Sequence, residues 1–161
     1  MALLNRDCDY EKVKEDYFSH IYGENWKEVE AYLAEISELF EFSYMAGEKG
    51  EDNSIGIRYS PSRVANLNKI KEVAARGRAL AEKNISMPVR VQTVSMRLLY
   101  RHAEYCELLA DMMIELALGN KEEAKTKWEK LRDDFGVYEY ELERYYDHYL
   151  AIQTFHMILN K

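Results

Sequence analysis

The stretch PVRVQTVSMRLLYRHAEYCELLADMMIELAL, residues 88–118, decides the fold class. It opens on a proline, which suits the first turn of a helix because that turn has no use for its amide. After Pro88 no glycine or proline interrupts it until Gly119. Val91, Leu98, Tyr105, Leu109, Met112 and Leu116 recur at helical spacing. A periodic run of this length cannot be a strand, so a long helix is predicted from Pro88 to Leu118.

Working outward, the same reading extends to both ends. Asp9 is a predicted N-cap for a helix from Tyr10 to Ile21, with Tyr10, Val13, Tyr17 and Ile21 on one side and Gly23 as its stop. Trp26, Val29, Leu33, Ile36, Phe40 and Tyr44 form the stripe of a second helix, from Glu24 to Ala46. GEKGEDNSIGIRYS, residues 47–60, is the one long irregular segment, of the kind that is often functional or mobile. Ser60-Pro61 opens a third helix with Val64, Leu67, Ile70 or Lys71, Ala74 and Ala81 inward. Gly77 inside it predicts close approach of a neighbouring helix, since glycine there costs about 1 kcal/mol relative to alanine. Beyond Gly119, Asn120 with Glu123 resembles a capping box for a helix bearing Ala124, Trp128, Leu131 and Phe135. A last helix is predicted from Val137 to Leu159, with Leu142, Tyr145, Tyr149, Ile152 and Leu159 at core spacing.

The expectation is an all-α bundle of about six helices forming one domain over residues 1–161. Its predicted core includes Trp26, Leu33, Ile36, Leu98, Leu109, Trp128, Leu131, Tyr145 and Ile152. No segment alternates polar and apolar residues over strand length. LALGNKEEAKTKWEKL, residues 116–131, looks like one tetratricopeptide hairpin, but no second copy follows, and a solenoid needs about three.

Composition narrows the partners. The net charge is −7, and the chain divides into −9 over residues 1–57, +8 over 58–101 and −6 over 102–161. An acidic chain has no overall attraction for nucleic acid. Its basic middle must face either the acidic flanks or something anionic outside. No apolar run approaches the roughly 20 residues of a membrane span, and the N-terminal MALLNRDCDYEK is too short in apolar residues for a signal peptide. A complete chain of this kind belongs in the cytoplasm. Cys8 and Cys106 belong to no CxxC and have no zinc spacing; a single disulfide between them is not needed to hold a chain of this size.

Four constellations bear on chemistry. A di-iron centre in a bundle needs Glu-x-x-His pairs. The residues three before His20, His102, His148 and His156 are Tyr17, Leu99, Tyr145 and Gln153, so no such metal or cofactor site is expected. His102 and Cys106, one turn apart, read as a core histidine beside a buried thiol. The carboxylates Asp133, Asp134, Glu139, Glu141 and Glu143 read as a solvated face rather than a glycosidase acid pair, because no apolar setting raises a pKa. Arg90, Arg97 and Arg101 share one face of the long helix, and guanidinium rows suit carboxylate or phosphate partners. They are expected to pair with acids of the second or last helix, or to contact a partner or anion. Five tyrosines lie between Tyr138 and Tyr149; Tyr140 and Tyr146 fit the core least easily and are candidates for a sugar-binding or interface surface. No phosphate loop or nucleophile elbow occurs.

LLNRDCDYEKVKEDYFSHIYGENWKEVEAYLAEISELFE, residues 3–41, has an Asn-x-Asp start, a short helix with Asp-Tyr-Phe, a Tyr22-Gly23 corner and a long helix with Tyr32-Leu33. It resembles the helical domain that follows the catalytic barrel in uncharacterised bacterial glycoside-hydrolase-like proteins. RLLYRHAEYCELL, the Gly119-Asn120 corner, Glu139-Tyr-Glu141 and Tyr146-Asp147 are similar in the same way. The resemblance implies a fragment of a larger carbohydrate-active protein, a non-catalytic accessory domain packed on a (β/α) barrel that carries the catalytic acids. The other expectation is a stand-alone helical interaction or ligand-binding protein, whose partner would be a second copy of itself.

Overall fold

The computed structural model describes residues 9–48 and 50–159. It is 79% helical, and no strand occurs among the described residues. The order is α1 (Tyr10–Tyr22), α2 (Trp26–Phe40), α3 (Phe42–Ala46), α4 (Val64–Lys83), α5 (Arg90–Ala117), α6 (Lys121–Gly136), α7 (Glu139–Leu142) and α8 (His148–Leu159).

The long helix α5 is the axis. α4 and α6 lie along it, α2 packs on α4, α1 touches α2 and α5, and α8 rests on α6. Being flanked on several sides, α5 buries two stripes where its sequence periodicity predicts one. Met96, Leu99, Ala103, Cys106, Ala110, Met113 and Ala117 form one; Leu109, Met112 and Leu116 form the other. The small residues of the first stripe let a neighbouring backbone come close. α4 meets α2 through the predicted close approach at Gly77, where a methyl group would overlap the Tyr32 ring.

The basic middle does face the acidic flanks, chiefly through α4. Arg76 reaches Glu35 of α2 at 2.7 Å, Arg78 reaches Glu107 of α5 at 2.9 Å, and Lys71 pairs with Asp111. Lys14 joins α1 to α2 through Glu30 at 2.7 Å.

Several sequence expectations are corrected. The second helix breaks at Glu41, whose φ of 53° lies in the left-handed region. Its carboxylate accepts from Arg63 Nε at 3.0 Å, so a tertiary ion pair holds a residue that local preference would keep helical. The side of α1 with Tyr10, Val13 and Tyr17 faces outward, and α1 contains no fully buried residue. The last predicted helix is interrupted between α7 and α8, which leaves Tyr145 and Tyr149 exposed. Trp26, Leu33, Leu98 and Ile152 are half-buried rather than central. Ser60 does not cap α4; its hydroxyl donates to Glu51 at 2.8 Å, and a 3₁₀ turn over Pro61–Arg63 leads into the helix. Asn120 forms no capping box, because its amide donates to Glu115 at 2.9 Å. The predicted Asp9 cap is present: its carboxylate accepts from the Glu11 amide at 3.0 Å and the Lys12 amide at 3.4 Å. Cys106 is a buried free thiol, and Cys8 lies outside the described residues.

The irregular segment before α4 is tied down by its own hydrogen bonds. Gly50 and Glu51 donate to the carbonyls of Ile57 and Tyr59 at 2.8 and 2.6 Å, and the Ser60 amide donates to Ala117 at the end of α5 at 2.9 Å. Arg58 is the anchor. It is 4% exposed and has no carboxylate partner among the described residues; its guanidinium caps the carbonyls of Tyr44 and Met45 at the end of α3. Tyr44 returns a hydrogen bond from its hydroxyl to the Arg58 carbonyl at 2.8 Å. The negative end of a helix suits a cation, which explains a buried charge without an ion pair.

Candidate functional site

The chemically varied side chains converge where α5 meets the end of α6 and the segment from α7 to α8. Tyr105 of α5 and Phe135 of α6 stack edge to face with ring centres 4.9 Å apart. Tyr146, from the turn between α7 and α8, lies 5.5 Å from Tyr105 and 6.1 Å from Phe135. Phe155 of α8 adds a ring 6.0 Å from Tyr105. Such arrangements contribute roughly 0.5–1.5 kcal/mol per pair beyond the area they bury. The cluster leaves a half-open cavity of about 160 Å³, lined by Leu98, Arg101, His102, Tyr105, Phe135, Leu142, Tyr145 and Tyr146.

The polar groups of this wall turn away from the cavity. His102 Nδ1 shares a hydrogen bond with the Tyr32 hydroxyl at 3.0 Å, and its Nε2 lies 3.6 Å from Cys106 Sγ. Burial lowers the His102 pKa and keeps the ring neutral. Burial likewise pushes the Cys106 thiol up to about 12, so it is not a thiolate nucleophile near neutral pH. The hydroxyls of Tyr105 and Tyr146 are buried and interact with each other, with no further partner among the described residues. Burial raises the pKa of both.

The structure keeps Arg97 and Arg101 of the row together and leaves Arg90 apart. Arg101 donates to Glu104 at 2.8 Å, approaches Glu141 of α7 at 3.5 Å, and lies over the Tyr138 ring at 3.6 Å. Glu141 is thus an acid of the last predicted helix, as the charge distribution implied. Arg97 shares a shallow depression with Arg101 and Glu141, while Arg90 is exposed at the start of α5 and does not line it. Neither Arg90 nor Arg97 forms an ion pair with a described residue. The two candidate tyrosines part as well: Tyr140 is 90% exposed, whereas Tyr146 packs into the aromatic cluster.

A cleft of about 540 Å³ adjoins this region and gathers Glu104, Glu107, Asp133 and Asp134. Each carboxylate in it has a cation: Arg101, Arg78, Arg132 and Lys130 respectively. The Arg132 guanidinium beside Asp133 holds its carboxyl below the usual range. General acid catalysis needs a carboxyl shifted the other way. Among the described residues, no three His, Cys, Asp or Glu side chains gather as metal ligands would.

The sequence reading missed the exposed face of α1, where Tyr10 is 71% and Tyr17 61% exposed. The signal was present in Tyr10, Val13 and Tyr17, but periodicity alone does not say whether an apolar stripe is covered. It also missed the pairing of Tyr105 with Tyr146, which only the turn between α7 and α8 creates. No helix among the described residues is long and apolar enough to cross a membrane. Against protein-family models, curated proteins and solved structures, the chain has no match.

Proposed function

We propose that this chain is a non-catalytic helical domain that acts by packing an apolar face against a protein partner. The observation that carries the reading is the face of α1: Tyr10, Val13 and Tyr17 lie one above another on the helix and are all exposed. A stripe of large apolar residues at helical spacing is the usual mark of a helix that packs on something. Phe42, 85% exposed just beyond α2, adds to the apolar surface outside the bundle. The paired carboxylates of the cleft beside Glu104 and Asp133 support the non-catalytic part of the reading.

The partner we propose is the (β/α) barrel of a glycoside-hydrolase-like polypeptide that includes this domain. That choice rests on the resemblance of residues 3–41, which contain α1 itself. The competing partner is a second copy of the chain. Sedimentation velocity on the purified chain separates the two. The accessory-domain reading expects a monomer over a wide concentration range and a natural reading frame that continues upstream into the barrel. A reversible symmetric dimer, dispersed by Tyr17→Glu with the helical circular dichroism intact, would favour the stand-alone module instead.

A further inference from the structure

The cavity beside Tyr105 is distinct from the outer face of α1, and its chemistry can be read independently of that face. The geometry points to a binding site for a small neutral aromatic molecule of one ring, held between α5 and the turn that joins α7 to α8. Size is the first argument: the space is about 160 Å³, and an apolar cavity of about 150 Å³ is large enough to take up benzene. The wall is the second. Leu98, Leu142 and the rings of Tyr105, Phe135 and Tyr146 form most of it, and the buried phenol oxygens are occluded. Water in this half-open space finds few polar partners on the wall, so an apolar ligand can displace it with little loss.

Ring geometry selects aromatic over aliphatic ligands. Tyr105, Phe135 and Tyr146 already meet edge to face at 4.9–6.1 Å, and a further ring would continue the pattern at the same spacing. Charge selects neutral ligands. The one permanent cation of the wall, Arg101, is already paired with Glu104 and Glu141. A carboxylate on the ligand would lose its hydration and meet a guanidinium whose partners are in place. Tyr145 is both part of the wall and 58% exposed, so it stands at the rim where a ligand would enter.

The test is an NMR titration of the whole isotope-labelled chain with benzene, and with benzoate as the charged counterpart. Benzene should give saturable shifts confined to amides near Leu98–Tyr105 and Leu142–Tyr146. Benzoate should bind about tenfold more weakly or worse. Leu98→Phe, which fills the space, should weaken benzene binding by about tenfold or more. If that variant does not fold, Tyr145→Trp at the exposed rim serves the same purpose. Absence of saturable benzene shifts, shifts scattered over the surface, equal binding of benzoate, or undiminished binding in the folded filled variant would overturn the assignment.

Discussion

At the scale of single residues, two positions show how contact outweighs local preference. Gly77 lies inside α4, where alanine would gain about 1 kcal/mol of helix propensity. The Tyr32 ring occupies the place of the missing methyl, and overpacking costs roughly 1–3 kcal/mol. Gly77→Ala should therefore lower stability by about 0–2 kcal/mol in urea unfolding; a stabilised variant would mean that α2 and α4 stand further apart. Arg58 is a stronger case. Its guanidinium donates to two carbonyls at the end of α3, one of which, that of Tyr44, also accepts from the Gly47 amide at 3.2 Å, and a hydrogen bond to a charged group is worth about 1.5–3 kcal/mol. Arg58→Ala should destabilise the chain by about 2–4 kcal/mol, with amide exchange rising first in residues 50–60. A change within about 0.5 kcal/mol would show that water replaces the side chain without loss.

At the scale of elements, α1 and the turn after α7 are the pieces whose attachment is weakest. α1 is held by Lys14 to Glu30 and by half-buried Phe18, Ile21 and Tyr22, not by its outer stripe. Val13→Asp should then cost less than about 0.5 kcal/mol in a thermal melt. Val29→Asp on α2, at a position with no exposed surface, should prevent folding or cost several kcal/mol, because it buries an unpaired charge. A large loss from Val13→Asp would place the outer stripe inside after all. Arg101 is the clamp of the other piece, bridging α5 to Glu141 while covering Tyr138. Its carboxylate partners are partly solvated, so each pair is worth only about 0–1 kcal/mol. Arg101→Ala should leave the global melt almost unchanged yet speed amide exchange in residues 138–147, more at low salt than at high salt. Uniform exchange across the whole chain would refute that local role.

At the scale of the whole molecule, the buried titratable groups predict a steep alkaline limit. Burial raises the pKa of Tyr22, Tyr32, Tyr105 and Tyr146, and pushes Tyr44 and the Cys106 thiol up to about 12. In each case the native state keeps its proton while the unfolded chain releases it. The unfolded state then binds fewer protons, and stability falls as pH rises. The fall begins near the ordinary values, about 8.5 for cysteine and 10 for tyrosine, and continues to the raised native ones. Ultraviolet titration of the phenols should show the exposed tyrosines ionising first and a second group ionising together with loss of helical circular dichroism. A single non-cooperative titration of all tyrosines would mean that the aromatic cluster is open to water. On the acid side, His102 acts with the opposite slope. Its depressed pKa favours the native state above about pH 6.5, and that contribution is lost as the pH falls through its native value.

The sequence by itself determined the helical class, the length of α5, the stop at Gly119, the Asp9 cap and the need for close packing at Gly77. All of these follow from interactions within a few residues or from a missing side chain. It also determined that the basic middle must meet negative charge, since like charges cannot be gathered without neutralisation; that the acidic flanks supply it, through Glu35, Glu107 and Asp111, was decided by the packing of α4. Only the tertiary structure decided which apolar stripes are covered, because Tyr10, Val13 and Tyr17 have the same periodicity whether a neighbour lies on them or not. The break at Glu41 depends on Arg63, 22 residues away, and no local pattern contains that pair. The interruption between α7 and α8 likewise follows from packing: Tyr146 and His148 reach Phe135, which an unbroken helix from Val137 need not allow. The cavity exists only where α5, α6 and that turn meet, so its wall is a property of their arrangement and not of any one segment.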